Sequence, residues 1–264
     1  MATILKIENL KKCFLGLTAV NDLNIEMHDH TIHSLIGPNG SGKSTTINMI
    51  TGSFPSTFGR IWHRDTEITN IPSDQIAKTG INRTYQNLKL FNSMTVMENM
   101  MVGMHMKTTQ GFGSFIFDIK RAASEEKAMQ EKAKEILDYV GIYNLKDEYV
   151  NNISYGRQKM TELARALMND PKLLFLDEPA AGLNPSERIE FVDLLLKVFN
   201  SGIDLFLIEH NMDVVMNISH MITVINFGAK IAEGTASEIQ NNPEVIRAYL
   251  GERYKNITKE ARTC

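Results

Sequence analysis

Gly37, Pro38, Asn39, Gly40, Ser41, Gly42, Lys43, Ser44 and Thr45 stand in a row and fit G-x-x-x-x-G-K-[ST]. The spacing suits a backbone wrapped around phosphate. Glycines let several N–H groups converge on one anion, and a helix beginning there adds the positive end of its dipole. Lys43 supplies a point charge for β- and γ-phosphates, and the Ser44 hydroxyl suits Mg²⁺. The flanks agree: an apolar run over 32–36 leads in and a helical pattern over 45–50 leads out. A glycine-rich turn that merely precedes a lysine would not account for both. The ligand implied is a nucleoside triphosphate.

A second group of polar residues stands at predicted strand ends. Leu173-Leu174-Phe175-Leu176-Asp177-Glu178-Pro179 is an apolar strand, two carboxylates and a breaker. Asp177 is placed to hold the Mg²⁺ water shell. Glu178 projects elsewhere and can orient or deprotonate an attacking water; the competing reading is a solvated acidic turn. Gln86 follows a short strand over 81–85 and is placed to touch both Mg²⁺ and that water. His210 follows a buried strand over 203–208, where an imidazole can hydrogen-bond a γ-phosphate. A lone histidine at a strand end is usually structural, so its role rests on the combination.

The elements that must position these residues read as α/β. Residues 3–9 and 18–27 alternate like an antiparallel strand pair, and 58–68 reads as a short hairpin. Residues 73–78 are a turn or two of helix. From Thr95 to about Gly141 the pattern is helical, with a break at Gly111-Phe112-Gly113-Ser114. Within it, residues 122–140 form a strong helix with Met129, Ala133, Ile136, Leu137 and Val140 on one stripe. Met94, Met97, Met101 and Met104 repeat at helical spacing, which suits core packing or an adaptable docking surface. A continuous apolar run at 173–176 fits a parallel strand buried on both faces, and 203–208 reads as another buried strand. Asn184-Pro185 starts a helix with Ile189, Val192, Leu196 and Phe199 on one face. Strands over 221–226 and 230–233 pair around Gly228, and a short helix covers 243–250. The expected fold is a phosphate-loop core with a mostly parallel sheet, an N-terminal antiparallel β subdomain and an inserted helical subdomain.

Composition is ordinary for a globular chain of 264 residues: 43% hydrophobic, 22% charged, net charge −3. No basic excess points to nucleic acid. No apolar run reaches the ~18 residues of a membrane span, and residues 1–10 alternate like a strand rather than forming a signal-peptide core. Cys13 and Cys264 lie at opposite ends and give neither a disulfide framework nor metal spacing, which suits a reducing cytosol. His28, His30 and His33 invite a metal reading, but they sit in a polar turn into the nucleotide strand.

The phosphate loop, Gln86, Ile153-Ser154-Tyr155-Gly156-Arg157-Gln158, Asp177-Glu178 and His210, in this order, resemble the ATP-binding cassette (ABC) ATPase family. The resemblance runs from about Leu5 to Leu250. Residues 153–158 discriminate it, since other phosphate-loop ATPases lack this segment. The family pattern there is L-S-G-G-Q at a helix start, binding the γ-phosphate of ATP held by a partner subunit. Ile153, Tyr155 and Arg157 depart from it. The resemblance implies ATP and Mg²⁺ as ligands, with Ser44, Gln86 and Asp177 near the metal. It implies Lys43, Gln86, Glu178 and His210 in catalysis, and Ser154, Tyr155, Gly156, Arg157 and Gln158 at the partner's nucleotide. It also implies an aromatic residue stacked on adenine. Phe14, 23 residues before Gly37, fits best, although a core Phe at a strand end fits nearly as well. One domain would cover 1–251. About 1–92 and 168–251 would form the nucleotide core with the β subdomain, about 93–167 the helical subdomain, and 252–264 a polar tail.

Within that family, Ser154-Tyr155-Gly156, residues 177–185, residues 208–216 and residues 242–251 look like the branched-chain amino-acid importer ATPases, as does the helical insert around 105–125. This implies a peripheral subunit on the cytoplasmic face of the membrane. It would pair with a second ATPase subunit, identical or paralogous, and with transmembrane permease subunits, and would serve a substrate-binding protein indirectly. Urea or short-chain amide importers and lipopolysaccharide-export ATPases are close relatives. A soluble cassette acting on ribosomes or DNA is the more distant alternative, and such chains usually carry two cassettes or a long coiled-coil insert.

Overall fold

The structure, a computed structural model, describes residues 2–103 and 119–249. The predicted break at 111–114 lies outside them. Two sheets form. β1 (Thr3–Phe14) and β2 (Leu17–His28) pair antiparallel, joined by a tight turn in which Leu15 and Gly16 both have positive φ. β1 also pairs with β4 (Phe58–His63), and β4 with β5 (Thr66–Glu67), giving the order β2-β1-β4-β5. Both N-terminal strands outrun the predicted spans, because the ladder continues to the turn itself.

The larger sheet has the order β10-β9-β3-β8-β7-β6. Its strands are β3 (Ile32–Ile36), β6 (Ile81–Arg83), β7 (Leu173–Asp177), β8 (Asp204–Ile208), β9 (Met221–Asn226) and β10 (Ala229–Gly234). All neighbours are parallel except β10, which runs antiparallel along β9. Residues of β3, β7 and β8 are buried at every position, as in parallel strands covered on both faces, the polar His33, Ser34, Asp177 and Asp204 included.

Strand parity decides what covers each face. Ile32, Leu174, Leu176, Leu205 and Leu207 pack against helices α3 (Val96–Gly103), α4 (Ile119–Val140), α5 (Tyr155–Leu167) and α6 (Pro185–Asn200). Leu35, Leu173, Phe175, Phe206 and Ile208 pack on the other face with α1 (Lys43–Ile50), α2 (Ser73–Lys78) and the N-terminal sheet. The central helices therefore share one apolar cluster with the sheet. Truncating one of these leucines to Ala would cost about 2–5 kcal/mol. A third, smaller cluster joins Ile36, Ile222 and Val224 to α7 (Met212–Ile218) and α8 (Ala236–Gln240).

Two predicted helix faces and one strand end differ from expectation. In α6 the buried residues are Phe191, Leu194, Leu195 and Val198; Ile189 is 65% exposed. In α3 they are Val96, Asn99 and Met100, while Met94, Met97 and Met101 are only partly covered. Of the two readings of the methionine spacing, Met97 packs against the core while Met94 and Met101 stay partly open, and Met104 lies outside the described residues. Asn99 is buried because its amide bonds the carbonyls of Phe91 and Thr95 while its oxygen accepts Phe91 N–H. The strand before Gln86 ends at Arg83, two residues early. His33 lies wholly buried in β3, stacked on Phe206, and burial pushes its imidazole down to about 3. No cluster of three metal-binding side chains occurs among the described residues.

Candidate active site

Strands β3, β8, β7 and β6 are consecutive and parallel, so the loops after them open at one edge of the sheet, where ligands bind in open α/β sheets. Those loops carry Gly37–Thr45, His210, Glu178 and Gln86. At about 4.8 Å per strand, the loops after β3 and β7 lie about 10 Å apart with that of β8 between them.

The loop over 37–45 closes onto α1. Gly42, its N-cap, has φ 105°, and a Cβ there would fall 2.5 Å from the carbonyl oxygen of Ala19. No other residue type fits without moving β2. Gly37 is equally close-set, with its missing Cβ 2.0 Å from Ile225 O. Lys43 is buried, and its Nζ donates to the carbonyls of Gly37 (2.7 Å) and Pro38 (2.9 Å). Ser41 Oγ is buried without a hydrogen-bond partner. Asn39, Gly40 and Ser44 are exposed, and Thr45 is half-buried.

Asp177 ends β7. Its Oδ2 accepts from Arg83 Nη2 at 2.7 Å, and its Oδ1 is buried and unpartnered. Arg83 also donates to Asn48 Oδ1 (2.6 Å) and Thr51 Oγ1 (3.1 Å), tying the ends of β6 and β7 to α1. Glu178 follows in a left-handed conformation, φ 51°, which a non-glycine residue holds only where its surroundings enforce it. Its N–H donates to Ile208 O at 2.8 Å. Its Oε1 lies 2.7 Å from His210 Nε2, and its Oε2 accepts from Gln86 Nε2 at 3.0 Å. Gln86, Glu178 and His210 thus form one hydrogen-bonded group drawn from three loops.

Orphaned oxygens give the test of a metal and phosphate ligand. Asp177 Oδ1 is a hard donor left desolvated without a partner, which suits a small oxygen-seeking cation. Ser44 and Gln86 add only oxygen donors to the set. The buried Ser41 hydroxyl suits an oxyanion in the loop.

Residues 153–158 sit elsewhere. The helix starts at Tyr155, with Ser154 as its N-cap accepting from Arg157 N–H at 3.4 Å. The Tyr155 ring lies against Gly182, 2.9 Å from where that residue's Cβ would be. Arg157 Nη1 pairs with Glu190 at 2.7 Å. The Gln158 amide donates to the carbonyls of Val150 and Ile153, both at 3.1 Å. Glu187, in the capping box that Asn184 begins, stands beside Gly156 and 3.5 Å from Ser154 Oγ. These side chains bind their own chain, so the segment offers a helix N-terminus and its backbone to anything outside.

Phe14 ends β1, 42% exposed, edge-on to Phe54 at 5.6 Å, with the Lys12 ammonium 4.9 Å from both ring centres. A groove of about 290 Å³ beside the Gln86 loop is lined by Ile76, Arg83, Tyr85, Gly103, Glu162 and Arg165 among others. Met94, Met97 and Met101 are not part of it. Burial pushes the Glu162 carboxyl up and the Arg165 guanidinium down.

Sequence reasoning missed Arg83, Lys159 and Glu209. The last two are charged residues 2% exposed beside the Glu178 loop. A cation inside a short strand and a carboxylate directly after the run 205–208 were legible signals. Lys159 gave none, because residues 159–164 of α5 are buried on all sides regardless of type.

A phosphate-wrapping loop beside an acidic strand end and a carboxylate–imidazole pair defines a phosphate-loop nucleoside triphosphatase. The particular family follows from comparison with known proteins. The ABC transporter profile matches residues 20–181, and that of the branched-chain amino acid ATP-binding cassette transporter matches 229–255. The chain belongs to the ABC transporter family as an ATP-binding cassette ATPase. It is 41% identical over 250 residues to the high-affinity branched-chain amino acid transport ATP-binding protein LivG of Escherichia coli, covering 94% of this chain and 98% of LivG. It is 40% identical to BraF of Pseudomonas aeruginosa, with the same coverage. A nucleotide-free ATP-binding cassette from an ABC transporter superposes with TM-score 0.83 at 34% identity, covering 94% of this chain and 98% of that one.

Proposed function

We propose that this chain is the ATP-hydrolysing subunit of a membrane importer for branched-chain amino acids. What carries the reading is the Gln86–Glu178–His210 group at the sheet edge that holds the phosphate loop, joined to a likeness to LivG and BraF over nearly the whole chain. In this mechanism residues 37–45 wrap the ATP phosphates, and Phe14 stacks on adenine. Lys43 exchanges its carbonyl partners for β- and γ-oxygens. Ser44, Asp177 and Gln86 would hold Mg²⁺, which when bound supplies positive charge against the phosphates. Glu178 orients and deprotonates the attacking water, and His210 donates to the γ-phosphate. Two cassettes close so that residues 154–158 of each meet the ATP of the other. Catalysis is then positioning plus electrostatics.

No helix among the described residues is long and apolar enough to cross a membrane. In this reading the chain works at the cytoplasmic membrane face beneath permease subunits, with the groove at Arg83, Tyr85 and Glu162 receiving them. A substrate-binding protein acts through the permease, and no nucleic acid is involved. The test is uptake. Cells lacking the gene should lose saturable import of labelled leucine and isoleucine, and the chain should co-purify with a multi-span membrane protein. Loss of urea or amide uptake instead, or pelleting with ribosomes, would overturn the assignment.

A further inference from the structure

We propose that Lys159 and Glu209 are positioning residues, a buried couple of opposite charge that fixes the backbone carrying Glu178 and His210 to the helix whose N-terminus presents residues 154–158. The proposal rests on the reading of Glu178 as the residue that orients water.

Both side chains are removed from solvent, each residue being 2% exposed. Charges are buried this way only when paired or hydrogen-bonded. Glu209 spends both oxygens on backbone. Oε1 accepts Ala180 N–H at 2.8 Å, and Oε2 accepts the N–H groups of His210 (3.0 Å) and Asn211 (3.2 Å). One carboxylate thus spans the turn after Glu178 and the turn that carries His210. Lys159 reaches across from α5, and its Nζ donates to the carbonyl of Glu178 at 3.5 Å. The groups that face it are Glu162 on its own helix, Asp177 and Glu178 at the end of β7, and Glu209 after β8. The Tyr155 ring centre is 5.7 Å away, one turn earlier on α5. Burial holds the Lys159 ammonium below its usual range while all four carboxylates oppose that shift.

The contact falls on the strained residue. Glu178 keeps φ 51° because its N–H is held by Ile208, and its carbonyl is engaged by both Ala181 N–H at 3.1 Å and Lys159. Glu162 extends the chain of contacts, accepting Lys89 N–H at 3.3 Å from the loop after Gln86. The loops that deliver Gln86 and Glu178 therefore bond one face of α5, and the loop that carries His210 bears on it through the charge of Glu209. A displacement of α5 on engaging a partner's nucleotide would reach the Glu178 carbonyl directly, so each site would sense the other through its own α5.

The experiment compares steady-state ATP hydrolysis, ATP KM and thermal unfolding for the full chain, assembled with its transporter partners. The variants are Lys159→Met, Lys159→Arg, Glu209→Gln and Glu178→Gln. Misplacing the carboxylate without touching the phosphate loop should lower kcat of Lys159→Met and Glu209→Gln on the order of tenfold to a hundredfold while ATP KM stays within about twofold. Lys159→Arg should recover most of the loss. Wild-type kcat in Lys159→Met, a parallel collapse of KM and kcat, or an arginine variant no better than the methionine one would each overturn the proposal. Should Lys159→Met fail to fold, the near-isosteric Glu209→Gln carries the same two outcomes. Glu178→Gln separates the two readings. If it turns over normally, the base assignment fails. If it is inactive while Lys159→Met is normal, only the positioning role fails.

Discussion

In the proposed mechanism two regions of the chain meet phosphate, and they are built on opposite plans. At the sheet edge polar atoms are left wanting. Asp177 Oδ1 and Ser41 Oγ are buried without partners, Lys43 is folded back on its own loop, and Glu178 sits in strained backbone. In the segment 153–158 the side chains are already committed, Tyr155 to Gly182, Arg157 to Glu190, and Gln158 to the turn before the helix. An unsatisfied buried donor set stores a cost that a ligand relieves, whereas a satisfied one offers only its helix end. Mutations should therefore act strongly through side chains at the first region and weakly at the second.

The largest effect belongs to Glu178→Gln. It removes the base at nearly unchanged side-chain shape, although one of the two oxygens that face Gln86 and His210 becomes an amide donor. Hydrolysis should fall about 10²–10⁴-fold, ATP binding should persist, and the protein should accumulate as an ATP-bound dimer on gel filtration. Turnover within a few-fold of wild type would put the chemistry elsewhere.

Arg83→Met comes next and acts on stability. It strands the Asp177 carboxylate, 5% exposed, without its partner. Breaking a buried pair this way costs about 3–5 kcal/mol, read as a lower Tm in the absence of nucleotide. If Asp177 Oδ1 is a metal ligand, Mg²⁺ with ATP should narrow the deficit, and ATP with a chelator should not. A deficit unchanged by Mg²⁺ would break the view of that oxygen as waiting for a cation.

Ser154→Ala tests the second region. The hydroxyl caps α5 through a long bond, so stability should fall by only about 0.5–1 kcal/mol. A larger loss confined to ATP-driven dimerisation would show the hydroxyl serving the partner's phosphate as well.

The same contrast explains what the sequence revealed. The phosphate loop and Asp177-Glu178 were legible because backbone geometry and strand ends dictate residue types locally. Asn184 was legible because capping is local, and the structure makes it the N-cap of α6, adding a capping box with Glu187. Helix faces were less so. Ile189 shares the period of α6 yet points outward, because an apolar residue at helical spacing fits two adjacent stripes and only the partner sheet chooses between them. Arg83 and Glu209 left signals by residue type alone, but the partners that give them and Lys159 a role lie in distant segments of the chain.

Arg157 gives the smallest effect and the sharpest test of the comparison. Standing where the family pattern has Gln, it suggests added positive charge near a partner's ATP and hence a tighter closed dimer. The structure supplies an opposing charge: Glu190 lies 2.7 Å from the guanidinium, with both side chains partly exposed at 35% and 50%. An exposed pair of this kind contributes about 0–1 kcal/mol, and a neutralised guanidinium exerts little field at a distance. Arg157→Gln should thus change the ATP-driven dimer dissociation constant less than about fivefold, measured in the Glu178→Gln background. Glu190→Gln is the more informative variant, because it frees the charge without removing it. If the guanidinium faces the partner's phosphates, that variant should dimerise more tightly than its parent, and the gain should fade as salt rises. If Glu190→Gln and its parent dimerise alike at low salt, Arg157 serves only to fasten α5 to α6. The segment would then act through its helix terminus alone.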